Sequence, residues 1–254
     1  MENNIEVKNL SFSYDKKKTI LNNISFGIEK GKITSIIGAN GCGKSTLFNL
    51  ISKNLKPQQG EIKINGVNLK DIRLKQLALQ LAVVHQYNTA PPDLKVETLV
   101  GYGRIPYGRK NADENEKYIT SALESMAISD LRKRNLGELS GGQRQRAWVA
   151  MALAQNTDIL LLDEMTNSLD IKHQIETLRL IKKLNCEKKI TVVMILHDIN
   201  QAIAYSDKII AMKDGKIIKD DVPQNVITDK TLKTVYDTDL KVDKIDGRSV
   251  VIPV

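Results

Sequence analysis

Cysteine is nearly absent, with Cys42 and Cys186 the only two in 254 residues. A chain this long can bury a core without covalent staples, so both read as free thiols of a reducing compartment, and no disulfide is assigned. Aromatic residues make up 4%, and the basic clusters Lys16 to Lys18 and Arg132 to Arg134 have none interleaved, which removes the stacking platform of a single-strand binder. Both clusters read as solvated surface, and no nucleic-acid partner is expected. Long apolar runs are missing too. Runs such as Ile159 to Leu162 and Ile190 to Leu196 with one Thr inside fall far short of the ~18 residues of a membrane-spanning helix. The first residues alternate polar and apolar, with no stretch of signal-peptide length. The expectation is a cytosolic chain that does not cross a bilayer by itself. Repeats, low-complexity tracts and Pro/Gly/Ser linkers are also lacking.

The chain does carry enough apolar residues, 41% against 27% charged, for one large domain or a core with an insertion. Its net charge of +8 permits attraction to nucleic acid or anionic lipid without choosing between them. Period-two alternation over Ile5 to Phe12 and Glu61 to Ile64 predicts antiparallel strands near the start. Continuous apolar segments at Ile33 to Ile37, Leu81 to Val84, Ile159 to Leu162 and Thr191 to Leu196 predict strands buried on both faces, hence a parallel sheet under helices. Between Leu94 and Gln155 strand signals vanish, and Tyr118 to Ala127 and Gln143 to Gln155 have helical spacing, which predicts a helical insertion. Asp214-Gly215 between Ile209 to Met212 and Lys216 to Ile218 predicts a hairpin. The tail from Asn225 is helix-like at first and undefined after.

Gly38, Ala39, Asn40, Gly41, Cys42, Gly43, Lys44 and Ser45 fit GxxxxGK[ST], directly after an apolar strand and before the helical stretch Thr46 to Ser52. Glycines let successive N–H groups face inward as an anion nest, reinforced by the positive end of the following helix. In this setting Lys44 reaches the outer phosphates and Ser45 ligates Mg²⁺. The strand Ile159 to Leu162 delivers Asp163 and Glu164 at its carboxyl end, where ligands of open α/β sheets collect. Asp163 can hold hydrated Mg²⁺ and Glu164 can serve as general base toward a water. Leu139-Ser140-Gly141-Gly142-Gln143 caps a helix whose apolar positions are Ala147, Ala150, Met151 and Ala154. Its unsatisfied N–H groups make a second phosphate nest, although a Ser-Gly-Gly cap is also a routine helix start.

Together these motifs resemble the nucleotide-binding subunit of ABC transporters: Gly38 to Thr46 as Walker A, Leu139 to Gln143 as the signature, Leu160 to Glu164 as Walker B. The resemblance extends to Tyr14 as the aromatic stacking on adenine, Gln86 as the Q-loop glutamine, Ser168-Leu169-Asp170 as the D-loop and His197 as the switch histidine. It implies an α/β fold of ABC ATPase type: a P-loop NTPase core of mostly parallel sheet, an N-terminal antiparallel β-subdomain and an inserted α-helical subdomain. The whole of 1–254 is then one ABC ATP-binding domain, with 1–86 and 156–222 as core and β-subdomain, 87–155 as helical subdomain and 223–254 as a short tail. It further implies ATP and Mg²⁺ as ligands, Glu164 and His197 as catalytic residues, and Ser45, Gln86 and Asp163 around the metal. The nucleotide falls to Tyr14, Gly38 to Thr46, Gln86, Ser140, Gly141, Gly142, Gln143 and Asp170. In the family two subunits pair head to tail, the signature of one closing over the γ-phosphate held by the other.

Val96 to Tyr107, with its Gly103-Arg104-Ile105-Pro106 element, and the ending from Val222 to Thr228 through Val235-Tyr236 to Asp246-Gly247-Arg248 are similar to importers of iron chelates and cobalamin. That implies a peripheral ATPase on the cytoplasmic face of the membrane, driving uptake of an iron-siderophore, heme or cobalamin. Its partners are a second ATPase subunit, permease chains and, indirectly, an extracytoplasmic binding protein. An importer of another substrate, a soluble ABC-type ATPase or a P-loop kinase remain as alternatives, though a kinase would leave Leu139 to Gln143 and His197 without work. Ala39, His85 and Met165 stand where the family commonly has proline; none removes a reacting group, and each loosens local backbone constraint.

Overall fold

Residues 2–15, 18–108, 112–165, 169–245 and 247–253 are described by the computed structural model. In chain order the strands and helices are β1 (Asn3–Ser13), β2 (Thr19–Glu29), β3 (Ile33–Gly38), α1 (Lys44–Ile51), β4 (Gln59–Ile64), β5 (Val67–Asn68), α2 (Leu74–Leu77), β6 (Leu81–Val84), α3 (Val96–Tyr102), α4 (Ala112–Ser125) and α5 (Gly141–Ala154). There follow β7 (Ile159–Asp163), α6 (Ile171–Lys188), β8 (Thr191–Ile195), α7 (Ile199–Tyr205), β9 (Lys208–Lys213), β10 (Lys216–Asp221), α8 (Pro223–Val226), α9 (Asp229–Tyr236), β11 (Leu240–Ile245) and β12 (Arg248–Pro253). The chain divides into two compact units, Met1–Ile72 with Thr191–Val254, and Arg73–Ile190. Lys16, Lys17, Ser168 and Asp246, named above, lie outside the described residues.

In the first unit the predicted alternation produces an antiparallel sheet in the order β2-β1-β4-β5. Ile5, Val7, Leu10 and Phe12 of β1 face inward, as do Leu21, Ile24, Phe26 and Ile28 of β2. The alternation of β2 is interrupted at Asn22-Asn23, where two exposed residues follow one another. In the structure Asn23 takes φ 49° opposite Asn9 at φ 48°, and the pairing steps from Val7↔Phe26 to Leu10↔Ile24 across this irregularity. A second layer holds β3 in parallel with both β8 and β9. All of β3 and β8 is buried, which explains their unbroken apolar character. β10 turns back antiparallel on β9 through Asp214 (φ 46°) and Gly215 (φ 73°), as the dipeptide predicts.

The tail is more ordered than the sequence announces: after α8 and α9 it ends in the hairpin β11–β12. Asn200 of α7 holds that hairpin like a strand partner, accepting from the Val251 amide at 2.8 Å and donating to the Val251 carbonyl at 3.3 Å.

In the second unit β6 and β7 pair in parallel, Leu81↔Ile159 through Val84↔Leu162. The helical insertion is present as α3, α4 and α5. Helix α4 corrects the expected span of Tyr118 to Ala127, running from Ala112 to Ser125. Its charged first turns have no apolar face to reveal them. Ala127 at φ 51° closes the helix, with the Ile128 amide donating back to the Leu123 carbonyl at 3.0 Å. Around α5, Val149 and Ala152 are buried together with Ala147, Ala150 and Ala154, whereas Met151 is only half-buried.

The Gly103-Arg104 pair has a structural explanation. A Cβ on Gly103 would stand 2.1 Å from the Met151 carbonyl oxygen, so only glycine lets this segment approach α5. Arg104 is buried between the rings of Tyr107 and Tyr118, 3.7 and 4.1 Å from their centroids. Its guanidinium donates to the Ala154 carbonyl (2.8 Å) and to Asn115 Oδ1 (2.9 Å), capping the end of α5. Among the described residues no helix is long and apolar enough to cross a membrane.

Candidate functional site

The first unit places Gly38 to Ser45 as expected, between buried β3 and the start of α1. Gly38 (φ 151°) and Gly43 (φ 108°) carry the bend. A Cβ on Gly38 would meet the Met212 carbonyl oxygen at 2.3 Å and Cys42 Sγ at 2.8 Å, and one on Gly43 would meet Leu21 Cδ2 at 2.7 Å. The loop therefore lies on a floor made by β9 and the start of β2, and the Gly215 amide fastens it by donating to the Cys42 carbonyl at 3.0 Å. Cys42 is buried, burial pushes its thiol pKa up, and its carbonyl does the fastening. Gly43 stands at the N-cap of α1 without a side-chain cap, which leaves the first-turn N–H groups to a ligand. Lys44 Nζ, nearly buried, donates to the carbonyls of Gly38 (2.7 Å) and Ala39 (3.1 Å), holding the ammonium at the loop.

Tyr14 offers a ring that is 62% exposed. Its edge-on contact with Phe12 (centroids 5.0 Å apart) and its hydroxyl 3.3 Å from Thr46 Oγ1 fix it beside the loop. His197 follows β8, exposed, just before Asp198 caps α7 by accepting from the Gln201 amide at 3.0 Å.

In the second unit, strand register brings two predicted residues together. Because Val84 pairs with Leu162 in parallel, the segments leaving β6 and β7 emerge side by side. Gln86 Nε2 accordingly donates to Glu164 Oε2 at 2.5 Å. Asp163, 6% exposed, ends β7. Glu164 adopts φ 46°, uncommon for a residue with a side chain and typical of strained functional positions. Met165 after it is buried in the core, and burial pushes the His85 pKa down.

The signature residues form a capping box: Ser140 Oγ accepts from the Gln143 amide (3.3 Å) and Gln143 Oε1 from the Ser140 amide (3.0 Å). Asp170 caps α6, accepting from the His173 amide at 2.9 Å, and that amide and the His173 ring hold its carboxyl pKa below the usual value.

Residues 21–167 match the ABC transporter family. The chain belongs to it. It is 40% identical to the petrobactin import ATP-binding protein of Bacillus subtilis (strain 168) over 97% of this chain and 98% of that one. It is 38% identical to the ferric enterobactin transport ATP-binding protein of Escherichia coli (strain K12), over 93% and 89% respectively. A bacterial ABC transporter cassette solved as a dimer superposes with a TM-score of 0.76 at 31% identity, over 86% of this chain and 98% of that one.

As an ABC cassette the chain presents Ser45 hydroxyl, Gln86 amide and Asp163 carboxylate oxygens. These hard donors suit Mg²⁺, which binds through few carboxylates and the phosphates of its substrate. No group of three His, Cys, Asp or Glu that could hold a metal by itself occurs among the described residues. Two features of the cassette went unseen in the sequence. His173 packs against the signature, at a helix position with no motif to mark it. Tyr236 of α9 has a buried hydroxyl, its pKa pushed up to about 12 by burial, with Cys42 and the Gly38 amide as its neighbours, so the tail reaches the Walker A loop.

Proposed function

We propose that this chain is the ATP-hydrolysing subunit of an importer of iron-siderophore chelates, with heme and cobalamin as the nearest alternative cargoes. One observation carries the reading: likeness to a siderophore import ATP-binding protein extends over 97% of the chain, well outside the residues 21–167 that define the family.

The Walker A loop binds the triphosphate through its N–H groups and Lys44, and Tyr14 stacks on adenine. Mg²⁺, held from Ser45, Gln86 and Asp163, would neutralise phosphate charge. Glu164 takes the proton from a water whose oxygen bonds to the γ-phosphorus. The bond from that phosphorus to the β–γ bridging oxygen breaks, leaving ADP and phosphate. His197 positions the water against the γ-phosphate. Two copies pair head to tail, so Ser140 to Gln143 of each close over the nucleotide held by the other, and Asp170 belongs to the D-loop facing the partner.

A cavity of about 370 Å³ beside Gln86, lined by Tyr87, Pro92, Leu136, Arg144 and Trp148, supports a permease contact there. Tyr87, 84% exposed at its rim, offers an apolar anchor. The subunit thus works on the cytoplasmic face of the membrane, with an extracytoplasmic binding protein serving the same assembly.

The test is purification from native membranes followed by uptake assays with labelled siderophores, heme and cobalamin. Co-purification with a multi-span permease and ATP-dependent siderophore uptake are expected. Recovery with soluble partners alone would overturn the transport role, and uptake of an unrelated solute would overturn the cargo.

A further inference from the structure

The second glycine of the signature is required by its own chain before any phosphate is considered. A Cβ on Gly142 would stand 2.7 Å from both Cγ and Cδ2 of His173 and 2.9 Å from its Cβ. Real carbon atoms do not approach so closely, and the presence of Cβ among them means that the ring cannot swing clear without moving α6. Gly142 is buried under this imidazole, while Gly141 is exposed and a Cβ there would meet only Leu169 at 3.8 Å. The two glycines therefore differ: one lies open and the other is a contact surface.

The ring that occupies the space is itself held. His173 Nδ1 lies 2.9 and 2.8 Å from the two carboxylate oxygens of Asp170. The His173 amide donates to the same carboxylate, and its carbonyl accepts from Thr177 Oγ1 at 2.8 Å. A carboxylate facing Nδ1 assigns the proton to that nitrogen and fixes ring orientation. Arg146 and Glu176, 4.0 Å apart, provide a weaker tie between α5 and α6. Gly142 is in the first turn of α5, whose N–H groups lack intrahelical acceptors and make the nest.

We propose that His173 is a positioning residue for catalysis: Asp170 orients its ring, the ring sets the place of Gly142, and the D-loop and signature nest consequently move together. This rests on the head-to-tail reading above, because only there does the nest act on a phosphate. The full chain is assayed for steady-state ATP turnover, and the folding of each variant is checked by thermal melts. His173→Ala lowers kcat about tenfold with KM for ATP nearly unchanged, since nucleotide is held by Gly38 to Thr46. His173→Asn, which keeps a donor to Asp170, retains turnover within about threefold of wild type.

The decisive variant is double. Gly142→Ala alone lowers kcat roughly a hundredfold through the clash, and adding His173→Gly, which removes the Cβ as well as the ring, returns it to the level of His173→Gly alone, a strongly non-additive cycle. Additive losses in the double variant, or a KM rise matching the fall in kcat for His173→Ala, overturn the proposal. Wild-type protein without any ATP turnover would instead overturn the ATPase reading itself.

Discussion

Glu164 occupies a left-handed backbone conformation at the end of a buried strand, with its carboxylate joined to Gln86. Strain of this kind costs of order 1 kcal/mol and persists where the surrounding structure fixes it. Glu164→Gln preserves size and leaves an acceptor oxygen for Gln86 but removes the base. Turnover measured by phosphate release should fall about 10²- to 10³-fold, while ATP binding stays within about twofold of wild type. Lys44→Ala should give the opposite division. Its ammonium is already aimed at the loop by the Gly38 and Ala39 carbonyls, so binding of a fluorescent ATP analogue should weaken at least about tenfold. Unchanged binding would remove Lys44 from the phosphate site.

At the level of elements, Arg104 ties the segment after α3 to α4 and α5 through Asn115 and the Ala154 carbonyl. Arg104→Ala gives up two charge-assisted hydrogen bonds and a double aromatic contact, and should cost about 3 kcal/mol in urea unfolding. Glu97 in α3 gives a pH-dependent case: Lys133 first, then Arg132, hold its carboxyl below the ordinary 4.5. A depressed folded value means that the stabilisation is complete above the unfolded pKa and disappears as pH falls through the folded one. Glu97→Gln should therefore lower the urea midpoint at pH 7, with the difference shrinking toward about pH 3. An equal loss at both pH values would show that the ion pairs contribute nothing.

The same scale shows what was legible in the sequence. Buried parallel strands announce themselves by unbroken apolar runs, as at Ile33 to Ile37, and the nest by its glycines. β2 is not legible because Asn22-Asn23 breaks its period-two alternation. The start of α4 was missed because its first turns are charged all round, and β11–β12 because half-exposed hairpin strands carry little apolar signal. Gln86 was legible as a motif, but its bond to Glu164 follows only from the register of β6 on β7. His173 had no signal, since packing against a glycine on another helix leaves no local trace.

At the scale of the whole molecule, two incomplete nests in one chain make sense if two copies complete each other, as the resemblance to a dimeric cassette supports. On the head-to-tail reading proposed above, the Walker A residues and the signature of one copy would serve different nucleotides. Association driven by ATP is then the property on which turnover and transport both depend, and turnover should rise with the square of protein concentration when the protein is dilute. The most direct measurement is analytical ultracentrifugation of the Glu164→Gln chain with and without Mg-ATP. The account predicts a monomer without nucleotide and a stable dimer carrying two ATP molecules with it. A monomer under both conditions, accompanied by wild-type turnover per molecule that is independent of dilution, would contradict it.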